Sequence, residues 1–338
     1  MYFPKVAVVI LNWNGKNYLE KFLPSVMASS YPNLQVIIGD NASTDDSVKF
    51  VEEHYPSIRI ISNEKNLGFA GGYNQVLSSV EADYFVLLNS DVEVSENWLE
   101  PVIKLMESDE LIVAAQPKIL SYRDKGRFEY AGAAGGFIDR YGYAFCRGRI
   151  FDALEEDKGQ YDQPTEIFWA SGAAFFVRSQ AWHQSGGLDA DFFAHMEEID
   201  LCWRLKNQGN KIMYCPDSKV FHIGGGTLNA ESPYKTYLNF RNNLVMLQKN
   251  LPPGKAFRII FIRFWLDLLS MIKYLLQGSL QNAMAVSKAH FHFLGKLKRN
   301  GKKANGGGSK FNAAGLYRSS IVWQYFGKGV KRFSELKF

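Results

Sequence analysis

The chain has 338 residues, 46% of them hydrophobic, which is enough to bury a full core as one large domain plus an appendage. Its three cysteines, Cys146, Cys202 and Cys215, lie far apart with no metal-ligand spacing, which excludes a cysteine metal site and points to reduced thiols on a cytosolic face. The net charge of +5 hides an asymmetry: residues 1–234 hold 20 Lys/Arg and 32 Asp/Glu, whereas residues 235–338 hold 19 Lys/Arg and only Asp267 and Glu335.

Met1 to Leu11 lacks both a basic stretch and a long apolar run, so no signal peptide is expected. Val6–Leu11 reads as a β-rich strand followed by the turn Asn12-Trp13-Asn14-Gly15. A helical pattern follows from about Asn17 to Ala28, with Pro24 expected to kink or end it. Gln35–Asp40 is a second strand, and a helix capped by Ser and Asp residues starts near Asp45. Ile58–Ser62 is a third strand. The loop from Asn66 to Gly72 leads into a helix through Tyr73, Val76, Leu77 and Val80. Tyr84–Asn89 is a fourth strand, five apolar residues long before it turns polar, as in a strand buried on both faces of a parallel sheet. Strand and helix alternate about every 25 residues, the pattern of a parallel sheet with helices on both faces.

The turn after the first strand has one glycine, Gly15, so the G-x-G-x-x-G of a dinucleotide-binding dehydrogenase is absent, and so is a P-loop. Residues 119–165 show no clear periodicity and read as loops with a short irregular hairpin. Ile167–Trp169 and Ala173–Val177 read as strands about the turn Ser171-Gly172. A helix runs from Glu197 to Gln208, and Lys211–Cys215 and Lys219–Phe221 are separate strands. The second of these leads to His222 and Gly224-Gly225-Gly226.

Ligands of open α/β sheets bind at the carboxyl ends of the strands. Asp40 stands there and either accepts hydrogen bonds from a ligand base or caps the next turn. Asn89-Ser90-Asp91 is either an Asx turn or, through Asp91, an oxygen ligand for a divalent cation bound to a substrate's phosphates. His222 is either a structural histidine or a further ligand of the same ion, which Mg²⁺ or Mn²⁺ suits. Glu197, Glu198 and Asp200 open a helix, where acids complement the dipole. Three acids in four positions beside Phe192-Phe193 also form the pairing that raises a carboxyl pKa towards neutrality.

Taken together, Val9-Ile10-Leu11-Asn12-Trp13-Asn14, Asp40-Asn41-Ala42-Ser43-Thr44-Asp45, Asn66-Leu67-Gly68-Phe69-Ala70, Asn89-Ser90-Asp91, Glu197-Glu198-Ile199-Asp200-Leu201 and His222 resemble the inverting family 2 glycosyltransferases. The nearest flavour is the bacterial rhamnosyltransferase-like group, and the likeness covers about residues 5–245. It implies the GT-A fold, an α/β Rossmann-like mixed sheet with helices on both faces. It implies that Asp40 contacts the donor's uracil or thymine with Asn12 lining the same pocket, and that Asn66 and Gly68 form the nucleotide-side loop. Asn89-Ser90-Asp91 matches the family's D-x-D, whose last acid holds the metal, with His222 as a further ligand. Glu198 falls at the catalytic base, and Trp169, Gly172, Glu197 and Asp200 on the acceptor side. Asn89 departs from the first Asp of D-x-D, and Glu198 from the more usual Asp. The implied activity is inverting transfer from a UDP- or dTDP-sugar to a lipid-linked or polysaccharide acceptor in bacterial surface glycan synthesis. The departures leave open a sugar-nucleotide-binding subunit without turnover.

Residues 1–250 are read as the catalytic domain and 251–338 as a basic, amphipathic helical region. Along Phe257–Leu276, positions 257, 260, 261, 264, 265, 268, 271, 272 and 275 fill an arc of roughly 140° free of polar residues. Arg258, Arg263, Asp267 and Lys273 in the other half argue against a membrane-spanning helix. The arc either lies on an anionic membrane surface, supported by Lys296, Lys298, Arg299, Lys302 and Lys303, or packs on the catalytic domain or a second subunit as a homo-oligomer. The placement expected is cytoplasmic and peripheral on the inner face of the plasma membrane. No nucleic-acid-binding module is recognised. Asn305–Ser309 reads as a flexible link, and Ala313–Phe326 as another amphipathic helix.

Overall fold

A computed structural model describes residues 3–224, 232–302 and 310–338. The expectations for Gly225-Gly226, Lys303 and the Asn305–Ser309 link lie outside the described residues. The chain opens with β1 (Val6–Asn12), α1 (Lys16–Met27), β2 (Leu34–Asp40), α2 (Ser47–His54), β3 (Arg59–Ser62), α3 (Gly68–Leu77) and β4 (Tyr84–Asn89). Then come β5 (Val92–Val94), α4 (Leu99–Glu107) and β6 (Ile112–Ser121). Pro24 does not break α1: Leu19, Phe22, Leu23 and Val26 keep one buried face through it.

β1 lies between β2 and β4, parallel to both, and is buried almost throughout, which is why it reads as an unbroken apolar run. The register sets Asn12 beside Asp40 and Leu11 beside Asn89, so these polar residues share one sheet edge. On the other side of β4 the sheet becomes mixed. β12 (Ala174–Arg178) pairs antiparallel with both β4 and β6, and β13 (Lys211–His222) runs parallel to β6.

β13 is one strand rather than two. The ladder shifts register between Cys215 and Lys219, so Pro216, which cannot donate to a ladder, sits in the irregular stretch. Its far end pairs His222 with Val92 of β5, next to Asp91.

Residues 119–165 are not loops alone. β6 runs to Ser121, and β7 (Gly136–Asp139), β8 (Ala144–Cys146), β9 (Arg149–Ile150) and β10 (Ala153–Leu154) begin a second, five-stranded sheet. Strands of two to four residues are too short to show a two-residue period. β11 (Thr165–Ile167) returns to the main sheet, beside β13. The helices α5 (Ser179–Ser185) and α6 (Glu197–Asn207) lie between β12 and β13 in sequence.

The C-terminal region holds α7 (Pro233–Asn250), α8 (Pro253–Leu276), α9 (Leu280–Gly295) and α10 (Leu297–Lys302). Among the described residues no helix is long and apolar enough to cross a membrane. The helix expected over Ala313–Phe326 is replaced by β14 (Leu316–Tyr317), which completes the second sheet beside β7, and a π-turn at Trp323–Gly327. The aromatic rings that follow explain this: Phe333 and Phe338 pack on Phe137, and Tyr317 packs on Phe145 and Phe338.

α8 buries an ion pair beside Ala256, Ile259 and Ile260 and leaves several of its large apolar side chains outside. Arg263 and Asp267 are buried, with Asp267 at 0% exposure, whereas Phe257 is 77% and Trp265 61% exposed. Arg263 donates to Asp267, to Asn243 Oδ1 and to the Tyr141 carbonyl, so this pair faces the protein, whereas Arg258 and Lys273 are exposed.

Candidate active site

Strand ends at three places, β1 with β2, β4, and β13, and one helix start supply the site. At the first, Asn12 Nδ2 donates to Asp40 Oδ1 (3.3 Å), Ser43 Oγ (3.0 Å) and Ser47 Oγ (2.9 Å), and Asp40 Oδ2 accepts from the Ser43 amide at 3.0 Å. Asp40 therefore caps the turn after β2. Both residues are buried at the sheet edge, and Asn12 Oδ1 is shielded without a hydrogen-bond partner.

Asn41 joins this corner to the next loop. Its amide nitrogen donates to Asn66 Oδ1 (3.0 Å) and the Gly68 carbonyl (3.1 Å), and its oxygen accepts from Asn63 Nδ2 and the Leu67 amide. Gly68 has φ +71°, and a Cβ there would lie 2.6 Å from the Phe193 carbonyl oxygen. That oxygen in turn accepts from the Phe69 amide at 2.7 Å. The Asn66-Gly68 loop thus abuts the loop that leads to Glu197, with no room for a side chain at position 68.

At the second strand end, Asp91 Oδ1 stands 3.1 Å from His222 Nε2, and Asn89 Nδ2 is 3.5 Å from the same nitrogen. The other imidazole nitrogen, Nδ1, is 3.2 Å from Glu129 Oε2. Burial opposes charge on His222, but the flanking carboxylates of Asp91 and Glu129 outweigh it and hold the pKa up at about 10. Among the described residues no group of three or more His, Cys, Asp or Glu side chains forms a ready metal cage. The pair Asp91–His222 still offers one carboxylate oxygen and, once a metal ion displaces the proton of Nε2, one imidazole nitrogen side by side. Such a donor set fits a Mg²⁺ or Mn²⁺ ion that completes its shell with diphosphate oxygens and water.

The acids of α6 follow an unusual backbone. Phe193, His195 and Met196 all have positive φ (66°, 68° and 74°), a region that non-glycine residues enter at a cost. α7 holds this loop: Asn242 Nδ2 lies 3.0, 2.9 and 2.7 Å from the carbonyls of Phe192, Ala194 and His195, and Arg241 donates to those of Asp191 and Phe192.

Glu198 is half-buried, yet its Oε2 is shielded from solvent and has no hydrogen-bond partner among the described residues. Burial raises its pKa to about 7, against the opposing pull of backbone amides that include Gly172. Burial and the charge of Glu198 raise Glu197 as well. His195, in the same loop, is pushed down to about 4 by burial and by Lys235, which leaves it neutral.

The remaining expected residues are placed differently. Asp200 is fully buried, with its oxygens taken by Arg204 (2.9 Å), Lys249 (2.9 Å) and Asn250 (2.8 Å). Its contacts make it an anchor between α6 and α7 in place of the acceptor-side role expected for it. Trp169 is buried and donates through Nε1 to the Phe137 carbonyl at 2.9 Å, linking β7 to the segment before β12. Gly172 packs on Phe69, whose ring a Cβ would meet at 3.0 Å. The sequence reading missed Glu129, Asn41, Asn242 and Lys235. The last is half-buried at the start of α7, with its pKa lowered by burial against the pull of Glu129. Asn41 stood inside the segment from Asp40 to Asp45 that carries the family likeness, and Asn242 gave a signal as one of two adjacent asparagines inside an otherwise regular helix.

A family model, Glycosyl transferase family 2, matches residues 7–177, half of the chain. An N-acetylglucosaminyl-diphospho-decaprenol L-rhamnosyltransferase of Mycobacterium tuberculosis is 26% identical over 237 residues, 64% of this chain and 75% of that protein. Among solved structures, S. aureus TarS 1-349 in complex with UDP-GlcNAc superposes with a TM-score of 0.58 at 14% identity, covering 89% of this chain and 84% of that one. The mannosyltransferase PcManGT from Pyrobaculum calidifontis, in complex with GDP-Man and Mn²⁺, superposes at 0.52 with 16% identity, covering 88% and 76%. These structures share the GT-A fold with the chain.

Proposed function

The chain belongs to glycosyl transferase family 2, and we propose that it transfers a sugar, with inversion, from a UDP- or dTDP-linked donor to a hydroxyl of a lipid-linked or polysaccharide acceptor in bacterial surface glycan synthesis. The observation that carries this reading is that Asp91 and His222, from two different strand ends, meet at 3.1 Å on the edge where ligands of such sheets bind. The rhamnosyltransferase relative and the nucleotide-sugar complexes of the structural neighbours support it.

In this reading Asp40 and Asn12 receive the base, and the Asn66-Gly68 loop closes over the nucleoside. Asp91 and His222 would hold a divalent cation, which supplies charge to offset that growing on the leaving diphosphate. Glu198, with its pKa of about 7, takes the proton of the acceptor hydroxyl as that oxygen attacks the anomeric carbon from the face opposite the diphosphate. General-base help of this kind contributes about 10²–10⁴-fold in rate. Neutral His195 adds no competing positive charge beside it.

The enzyme works on the cytoplasmic side, peripheral to the inner face of the plasma membrane. What supports this is α8, which exposes Phe257, Phe261, Trp265, Ile272 and Leu275 of its apolar arc, within a region almost devoid of acids.

The test is thermal stabilisation by a panel of sugar nucleotides with Mn²⁺ or Mg²⁺, followed by nucleotide release with and without acceptor. Asp91→Ala should lose metal-dependent donor binding while the fold is retained, with a melting temperature lowered by loss of the buried pair with His222. Stabilisation by a sugar nucleotide with no release under any acceptor would instead favour a non-catalytic binding subunit, the role that Asn89 and Glu198 leave open.

A further inference from the structure

Tyr130 stands between the two chemical ends of the site. The residue before it, Glu129, lies 3.2 Å from Nδ1 of His222, whose other nitrogen faces Asp91. The residue after it, Ala131, accepts through its carbonyl from Ser171 Oγ at 2.6 Å. Gly132 comes so near the same serine that a Cβ there would lie 2.5 Å from Ser171 Cβ. Ser171 precedes Gly172, one of the amides that pull on Glu198. The backbone under Tyr130 is therefore tied to the Asp91–His222 pair on one side and towards Glu198 on the other.

Its ring is held from behind. Arg149 of β9 sets its guanidinium 3.9 Å from the ring centroid, and Arg149 itself is only 8% exposed. The guanidinium donates to the Phe151 carbonyl at 3.3 Å and to Cys146 Sγ at 3.7 Å. Its Nε has no hydrogen-bond partner among the described residues, and Glu129 acts on it only at longer range, being engaged by His222. A guanidinium keeps its charge in a protein, and burying one without an ion-pair partner is costly, so the Tyr130 ring is a main part of what compensates it. Yet Tyr130 is 52% exposed. It has one face taken by a cation, and among the described residues no second ring packs on the other. A side chain fixed in this way gives up rotamer freedom without gaining full burial, which makes it a preorganised platform.

The donor-side residues Asn12, Asp40 and Asn89 end strands of the main sheet, whereas Tyr130 leans on β9 of the second sheet. A pyranose ring carries C–H groups on its faces, and these are drawn to the negative face of an aromatic ring. We infer that the open face of Tyr130 is the platform on which the sugar ring that receives the transfer stacks, with Arg149 as the positioning residue that holds it. This rests on the sugar-transfer reading and specifies that the accepting hydroxyl belongs to a pyranose bound through a C–H face. A nucleotide base would stack as well, but the end of the site assigned to the base is at Asn12 and Asp40.

The test uses the full-length protein and, as probes, methyl glycosides of glucose, galactose, N-acetylglucosamine and rhamnose, titrated by saturation-transfer NMR. Glucitol, a linear polyol without a ring face, is the control. At least one glycoside should bind, with ring C–H protons shifted upfield by the aromatic current, and glucitol should not. Tyr130→Ala should weaken that glycoside about tenfold and abolish the upfield shift, whereas Tyr130→Phe should keep both. Arg149→Met should weaken it too, and the double variant should bind no worse than Tyr130→Ala alone, because Arg149 acts only through the ring. The exposed Tyr130 variants keep the test decisive should Arg149→Met fail to fold.

Equal glycoside binding by Tyr130→Ala and wild type overturns the inference. So does a wild type that binds none of the probes, or binds glucitol as well as the glycosides. A loss in Tyr130→Phe as large as in Tyr130→Ala overturns it as well, since the hydroxyl and not the ring face then carries the contact. Donor binding, followed by thermal shift with sugar nucleotide and Mn²⁺, should be the same in Tyr130→Ala and wild type, and a fall in the variant would assign the ring to the donor instead. Failure of the wild type to bind any sugar nucleotide counts against sugar transfer, whereas the glycoside titration alone decides the platform.

Discussion

Glu129 Oε2 stands 3.2 Å from Nδ1 of His222, on the nitrogen opposite the one that faces Asp91. A carboxylate behind a metal-binding imidazole fixes its tautomer and raises its basicity, and losing one typically costs about 10–100-fold in metal affinity. Glu129 is itself fixed, because its Oε2 accepts from the Ala131 amide and its Oε1 leaves no room for a side chain at Gly224. Glu129→Gln should therefore weaken Mn²⁺ binding by about that factor, read by electron paramagnetic resonance with UDP present, while nucleotide binding without metal stays the same. Unchanged Mn²⁺ affinity would show that Glu129 only packs.

Glu198 should set an ascending pH limb. A base works deprotonated, so turnover should rise with pH up to a plateau above about 7, the pKa that burial gives it. Stability should move the other way. The folded-state pKa lies above the usual carboxylate value, so the native state is penalised progressively from about pH 4.5 to 7 and fully above that range. Glu198→Gln should then cost about 10²-fold or more in turnover, yet stabilise the fold at pH 8 by roughly 1–3 kcal/mol. If Glu197→Gln shows the large kinetic loss and Glu198→Gln does not, the roles within the pair are exchanged.

The clamp from α7 makes a kinetic prediction far from any substrate contact. Asn242→Asp keeps the shape but turns a donor into an acceptor facing three carbonyls. The positive-φ residues then lose the bonds that hold them in a conformation costing about 1–3 kcal/mol each. Hydrogen exchange over residues 192–200 should quicken, and turnover should fall about 10–100-fold with donor affinity nearly retained. Unaltered exchange in that loop would rule the clamp out.

What was legible in the sequence follows from how each residue reaches the site. Asn12, Asp40 and Asn89 sit at the ends of strands buried on both faces, so an apolar run marks the strand and the next polar residue marks the edge. Asp91 and His222 come together by pairing of β5 with β13, which their residue types suggested as shared ligation of one ion and the motif likeness supported. Glu129 lies in a stretch whose neighbouring strands are too short to show periodicity, and its contact with His222 exists only after β6 and β13 pair. Asp200 misled because an acid beside two others at a helix start looks like part of the site, whereas Lys249 and Asn250, far along the chain, decide its surroundings. The α8 arc was readable as a face, but which way it pointed was not. A buried Arg263–Asp267 pair looks in sequence like any solvated stripe.

That pair makes the last prediction. Asp267 is fully buried and is approached by Arg263 Nη2 at 3.2 Å, His290 Nε2 at 3.1 Å and the Tyr143 hydroxyl at 3.3 Å. Asp267→Ala strands the Arg263 guanidinium among these groups, and removing one partner of a buried ion pair costs about 3–5 kcal/mol. Replacing both, as Arg263→Met with Asp267→Leu, removes the stranded charge and should recover most of that loss. Were the stripe solvent-facing, each single change would stay within about 0.5 kcal/mol. Urea unfolding of the two single variants and the double variant separates these cases. A small effect in both singles would mean that α8 is turned the other way, with its rings against the protein, and would remove the exposed apolar side chains on which the membrane placement depends.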